Sequence, residues 1–261
     1  EWGYPFIVKW RFGVSSMEIY RINEINDIEN LFLDFSSGKY MAEKFQPNKI
    51  WCIDAIVGNG EILSNLYTWL PFTNLSFAEN KTKFVQLAVG FSQKYWKFAP
   101  EKMTKLIVNS LGLHTGYLHL EVFVLDNGEP VICEFAWRTP GDHMLENFSV
   151  MYGFSIENYL INVLLGETPS KLEPIQSCVS DIFLPMSNGR ITRISTIEEI
   201  MQKCEIVDGA IMYKKGDILS SKHKYTDASG WVQVVATNVN EMLRKIEEVY
   251  SAFLLDVEEI T

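Results

Sequence analysis

What this sequence lacks narrows it faster than what it holds. Its four cysteines, Cys52, Cys133, Cys178 and Cys204, are scattered with no Cys-x-x-Cys pair, which excludes a disulfide framework and a thiolate zinc site and makes reducing cytoplasm the expected compartment. No run of lysine or arginine occurs and the formal net charge is -10, the wrong sign for a nucleic-acid partner. No apolar stretch approaches the roughly 20 residues of a membrane span, and no signal peptide opens the chain. The P-loop pattern Gly-x-x-x-x-Gly-Lys-Ser/Thr is absent, so a nucleotide would have to be held by other means. The first residue is Glu1 and not Met, and Gly3-Tyr4-Pro5 leads at once into an apolar run; the expectation is the latter part of something longer.

What remains is 261 residues, 47% of them hydrophobic, enough for a sizeable core in one large domain or two small ones. The stretch from 116 to 143 carries the most information. Asn127-Gly128 lies between two alternating apolar runs, the pattern of a hairpin closed by a type I′ turn. With those two residues as the loop, Asp126 faces Glu129, Val124 faces Val131, and Glu121 lands opposite Glu134. A side-chain period of two then puts Leu120, Val122 and Val124 with Val131, Cys133 and Phe135 on an apolar face. His119, Glu121 and Phe123 share the other face with Ile132, Glu134, Ala136 and Arg138.

Two carboxylates directly across a strand pair have Cβ atoms roughly 5 Å apart and repel unless something positive sits between them. A divalent cation resolves this, and oxygen ligation suits Mg²⁺ or Mn²⁺ shared with a substrate's phosphates. Either glutamate alone would as readily face solvent. Upstream, Phe6-Ile7-Val8-Lys9 followed by Gly13-Val14-Ser15-Ser16 reads as a strand ending in a lysine beside a small-residue loop. Such a loop is either a phosphate cradle or an ordinary hairpin connection.

Periodicity predicts helices over 27–35, 84–98, 100–111, 155–165, 197–203 and 240–254, the last capped by Asn240. A second Asn-Gly turn at 59–60 joins strands 49–57 and 61–67, and 141–148 reads as a loop. A third Asn-Gly turn at 188–189, with strands 179–184 and 190–194, makes the C-terminal part an α+β meander. Proline and lysine between 167 and 177 suggest a boundary there.

Taken together, these segments resemble the ATP-grasp superfamily, and within it the carboxylate–amine ligases that include L-amino-acid (dipeptide) ligases. The resemblance rests on Gly3-Tyr4-Pro5-Phe6-Ile7-Val8-Lys9, Gly13-Val14-Ser15-Ser16, Glu43-Lys44-Phe45, His119-Leu120-Glu121, Glu134-Phe135-Ala136-Trp137-Arg138 and Gly141-Asp142-His143, and it extends over nearly the whole chain. It implies an α+β fold in which two lobes with antiparallel sheets hold ATP between them. The lobes would be 1–48 (small, partial), 49–170 (large, with the metal site) and 171–261 (C-terminal). It further implies Lys9 and Lys44 on the nucleotide phosphates, Ser15 and Ser16 in the loop that closes over them, and Glu43 and Phe45 beside adenine. Glu121 and Glu134 would be the Mg²⁺ ligands, and Arg138 would hold the γ-phosphate and then an acyl phosphate.

Three departures stand out. Lys49-Ile50-Trp51 occupies the region where a ribose-binding glutamate is usual, Ala136 replaces an asparagine, and the N-terminal module is missing. The implied reaction is ATP-dependent amide formation between small-molecule carboxylate and amine substrates, releasing ADP and phosphate. A non-catalytic nucleotide-binding module or partner subunit is the alternative. Carrier-bound substrates and a homodimer stay open, and no nucleic acid or membrane partner is expected. His119 is either a catalytic group, as a proton acceptor or phosphate contact, or a hydrogen-bonded structural residue.

Overall fold

A computed structural model describes residues 3–12, 18–31, 34–47, 50–71, 84–90, 99–167, 169–220 and 228–259. Fourteen strands among them form three sheets, every strand pair antiparallel. The expected α+β class with antiparallel sheets is what the molecule has. A small sheet is made of β1 (Phe6–Trp10), β2 (Ile19–Ile22) and β3 (Tyr40–Lys44), ordered β2-β1-β3. The helix expected over 27–35 is the short α1 (Ile25–Glu29), and residues 35–37 form a separate 3₁₀ turn.

The large sheet has eight strands: β4 (Ile50–Gly58), β5 (Glu61–Leu70), β6 (Phe84–Val89), β7 (Gly116–Val124), β8 (Pro130–Ala136), β9 (Cys178–Leu184), β11 (Asp208–Ile211) and β13 (Gly230–Ala236). Their order is β11-β13-β9-β6-β5-β4-β7-β8. A third, small sheet joins β10 (Gly189–Ile194) to β12 (Ile218–Leu219) and β14 (Leu255–Glu258). Because β9 pairs with β6, the boundary drawn at residue 170 falls between two halves of one sheet.

Three other expectations change. Residues 84–89 are a central strand hydrogen-bonded on both sides, all six residues buried, where periodicity suggested a helix; a short apolar run fits either form, and pairing decides. The loop expected at 141–148 gives way to α3 (Met144–Tyr152), which begins without a side-chain cap and so lacks the usual start signal. The cap of the last helix is Asn238, whose side chain accepts from Glu241 N at 3.0 Å, two residues before the expected Asn240.

Helices cover both faces of the large sheet. On one face lie α2 (Pro100–Leu111), α5 (Ile197–Met201) and α6 (Val239–Ala252), with Val239, Met242, Ile246 and Val249 of α6 forming one buried stripe. Burial of each such side chain contributes roughly 1.5–3 kcal/mol. On the other face α3 and α4 (Ile156–Leu164, capped by Ser155) cover Ile56, Leu66, Ala88 and Val179. The same face carries Asp54, His119 and Glu121 on β4 and β7, and Gln86, Asp181 and Gln233 on β6, β9 and β13.

Candidate active site

The two carboxylates do face each other: Glu121 pairs with Glu134. The route differs from the two-residue turn expected. Asn127 does not adopt positive φ and Gly128 does (88°), and Leu125 N–H donates to Glu129 O while Gly128 N–H donates to Leu125 O. The loop thus has three residues with glycine in the left-handed position, as in a type I turn followed by a bulge. Val124 therefore faces Pro130, and Val122 faces Ile132, which moves Ile132 to the apolar face. A bulge at Cys133 then takes up the extra residue, and from Glu121↔Glu134 outward the register is the expected one. By contrast, Asn59-Gly60 has positive φ at both residues (52° and 79°) and is a true two-residue turn.

Cations surround the pair. The Lys9 ammonium lies 2.8 Å from Glu43, its neighbour across β1 and β3. Burial works against the Lys9 charge, but the hydrogen bond and charge of Glu43, with Glu134 nearby, outweigh it and raise the amine above its usual value. Burial, then the Glu121 charge, raise the Glu134 carboxyl, with Lys9, His119 and Arg138 opposing. The repulsion of two facing carboxylates is relieved by a cation placed between them, so Glu121 and Glu134 fit a hard divalent ion. Arg138 is exposed just beyond β8 and donates to Thr139 O at 2.7 Å.

His119 is buried and its Nδ1 meets Asp54 Oδ1 at 2.9 Å, while Nε2 lies 3.8 Å from Glu121. Burial opposes the imidazolium, but Asp54 and then Glu121 win and lift its pKa to about 10. A histidine held protonated has no lone pair for a proton, so the pair favours a fixed positive charge behind Glu121 over a proton acceptor. Cys52, His119 and Glu121 bring donor atoms within 4.8 Å of one another. Burial keeps the Cys52 thiol protonated well beyond its usual range, which suits it poorly to metal. Asp54 was not singled out from the sequence, although one acid inside Ile50-Trp51-Cys52-Ile53-Asp54-Ala55-Ile56-Val57 demands a partner.

The other expected residues are less closely gathered. Alternation along β3 puts Lys44 on the face opposite Glu43 and Lys9, with Phe6 as its cross-strand neighbour. Phe45 carries the Arg21 guanidinium 4.3 Å above its ring centre. Ser15 and Ser16 lie outside the described residues.

A second polar group shares this face of the large sheet. Gln86, Asp181 and Gln233 are in register across the largely apolar β6, β9 and β13, and all three are buried. From α3, Asn147 donates to Asp181 Oδ2 at 2.5 Å and accepts from Gln233 at 3.1 Å. Gln86 donates to Asp142 Oδ2 at 3.2 Å. Asp142 has φ +54°, the left-handed turn by which Gly141-Asp142 brings the chain from β8 across the sheet into α3.

No protein-family model matches the chain. It is 22% identical over 267 residues to the L-arginine-specific L-amino acid ligase of Bacillus subtilis, an alignment covering 98% of this chain and 64% of the relative. Among solved structures, an L-amino acid ligase from Bacillus licheniformis superposes with a TM-score of 0.78 at 18% identity, over 99% of this chain and 65% of that one. The biotin carboxylase domain of the Hydrogenobacter thermophilus 2-oxoglutarate carboxylase, solved with MgADP, gives 0.66 at 14% identity, covering 98% and 58%. N5-carboxyaminoimidazole ribonucleotide synthetase from Thermotoga maritima gives 0.65 at 17%, covering 98% and 64%. The fold is the ATP-grasp fold, and the resemblance to its carboxylate–amine ligase group extends across the chain. The chain spans less than two thirds of the length of these relatives.

Proposed function

We propose that the chain is the ATP-grasp part of an ATP-dependent carboxylate–amine ligase that joins an amino acid through an acyl phosphate and releases ADP and phosphate. The reading rests on one observation above the others: Glu121 and Glu134 face each other with Lys9, His119 and Arg138 charged around them. Similarity to a ligase named for L-arginine supports an amino acid as one substrate.

In this reading Glu121 and Glu134 hold Mg²⁺, which neutralises the polyphosphate when bound. Lys9 would contribute a cation held by Glu43, and Lys44, on the other face of β3, a second charge from the end of that strand. Ser15 and Ser16 close over the nucleotide, with Glu43 and Phe45 beside its base. Arg138, exposed at the end of β8, meets the transferring phosphoryl group and then the acyl phosphate. The substrate carboxylate attacks the γ-phosphorus, the bond to the ADP oxygen breaks, and the amine then displaces phosphate from the acyl carbon. Phosphoryl transfer of this kind depends on positioning and charge neutralisation, so no protein nucleophile is required. His119, anchored on Asp54, would hold Glu121 in place.

The test is ADP release by the full-length protein with pooled amino acids. Release that depends on amino acid and Mg²⁺, with an amide product by mass spectrometry, is the expected result. ATP binding with no release under any pool would favour the non-catalytic nucleotide-binding reading and sink the ligase. A product attached to a carrier protein would move the acceptor from a free amine to a carrier.

A further inference from the structure

We propose that the polar row Gln86–Asp181–Gln233, with Asp142 and Glu146 at its rim, binds the positively charged side chain of a basic amino-acid substrate, an ammonium or a guanidinium. The proposal rests on the ligase reading for the meaning of the word substrate, but not for the binding itself.

The case begins with unsatisfied acceptors. Asp181 Oδ1 and Gln86 Oε1 belong to residues 0% and 1% exposed, and neither atom has a hydrogen-bond partner among the described residues. The two side chains are direct cross-strand neighbours on one sheet face. Around them Asn147 gives one N–H to Asp181 Oδ2, Gln233 one to Asn147, and Gln86 one to Asp142. The two acceptor atoms left without a hydrogen bond lie side by side, where a ligand group that carries several donors can meet both. A buried acceptor without a donor keeps the cost of its lost hydration, so the row gains from such a ligand.

Charge points the same way. Asp142, Glu146 and Asp181 are close enough for Glu146 and Asp142 to raise the Asp181 carboxyl further after burial has done so. Among the described residues none of these three carboxylates forms an ion pair with lysine or arginine. Asp142 and Glu146 are exposed and offer the way in. Beside the row runs an aromatic one, Phe84–Phe183–Trp231, with Phe84 and Phe183 4.9 Å apart and His143 4.2 Å edge-on to Trp231. Such a wall suits the methylene stem of a long basic side chain. Gln86 on β6 is three strands from Glu121 on β7, about 14 Å at the usual strand spacing. That leaves room for an amino acid whose carboxylate points to the phosphates and whose side chain points away.

Calorimetric binding to the full-length protein, using L-arginine and L-lysine against the neutral analogues L-citrulline and L-norleucine, tests this. The basic pair should bind at least 10-fold tighter, and Asp181→Asn should reduce that preference to within about threefold. Because Asp181 sits inside a buried network, the rim variant Glu146→Gln, on an exposed position, serves as the second measurement and should weaken the preference at least twofold. Equal binding of basic and neutral acids, or a preference untouched by either variant, overturns the proposal. ADP release followed on the same samples separates the two ideas. Turnover that favours neutral amino acids sinks the pocket and leaves the ligase, whereas tight binding of arginine without turnover sinks the ligase and leaves the pocket.

Discussion

One face of the large sheet carries two groups of acids, and they are treated in opposite ways. At the β7–β8 end, Asp54, Glu121 and Glu134 lie among His119, Lys9 and Arg138, so most negative charge there has a positive neighbour. At the β6–β9–β13 end, Asp142 accepts from the Gln86 amide and Asp181 from the Asn147 amide, neither has an ion-pair partner among the described residues, and Asp181 is driven toward its neutral form. The first arrangement holds its geometry with nothing bound. The second waits for charge from outside. A site that must place a metal and polyphosphate needs rigid, prepaired groups, whereas a pocket that selects a cation keeps its acceptors in deficit.

The comparison is easiest to break at the paired end. Arg138→Ala should lower kcat by about 10²–10³-fold while the KM for ATP moves by less than about threefold, because the guanidinium matters most in the transition state. A variant that changes only KM would remove Arg138 from that role. Next in size, Asp54→Asn should cost about 3 kcal/mol of stability in urea titration, since it strips a buried imidazolium of its partner. If the loss were below about 0.5 kcal/mol, the Asp54–His119 pair would not be what organises that end.

The smallest effect concerns the unpaired end. The folded-state pKa of Asp181 is raised above the ordinary 3.8, so ionisation costs stability as pH climbs from about 4 through the raised value. Asp181→Asn lacks that cost. Its melting temperature relative to the parent should therefore rise as pH climbs above the ordinary 3.8, and two parallel melting curves would show that Asp181 is not held neutral.

Much of this was legible in the residues. The facing glutamates followed from alternation about a turn, and Ser155 and the stripe along 239–252 announced their helices. What failed, failed for reasons of pairing. Phe84-Val85-Gln86-Leu87-Ala88-Val89 is short and apolar enough for either helix or strand, and only its neighbours β5 and β9 decide. Asp54, Gln86, Asp181 and Gln233 escaped notice because each lies in a separate, largely apolar strand. Their meaning emerges only when strands distant in sequence are laid side by side. Each was visible as an anomaly, a polar group inside an apolar run, and that anomaly is the signal to seek.

The bulge at Cys133 has a consequence for how this stretch tolerates change in length. Which side of a strand a residue occupies is a matter of odd or even count, and between Glu121 and Glu134 the three-residue loop and the bulge each contribute one odd step. Because cross-strand partners point to the same side, losing Cys133 or one loop residue would still leave Val122 opposite Ile132 and Glu121 opposite Glu134, so the hairpin can shorten by a residue at either place without parting the two carboxylates.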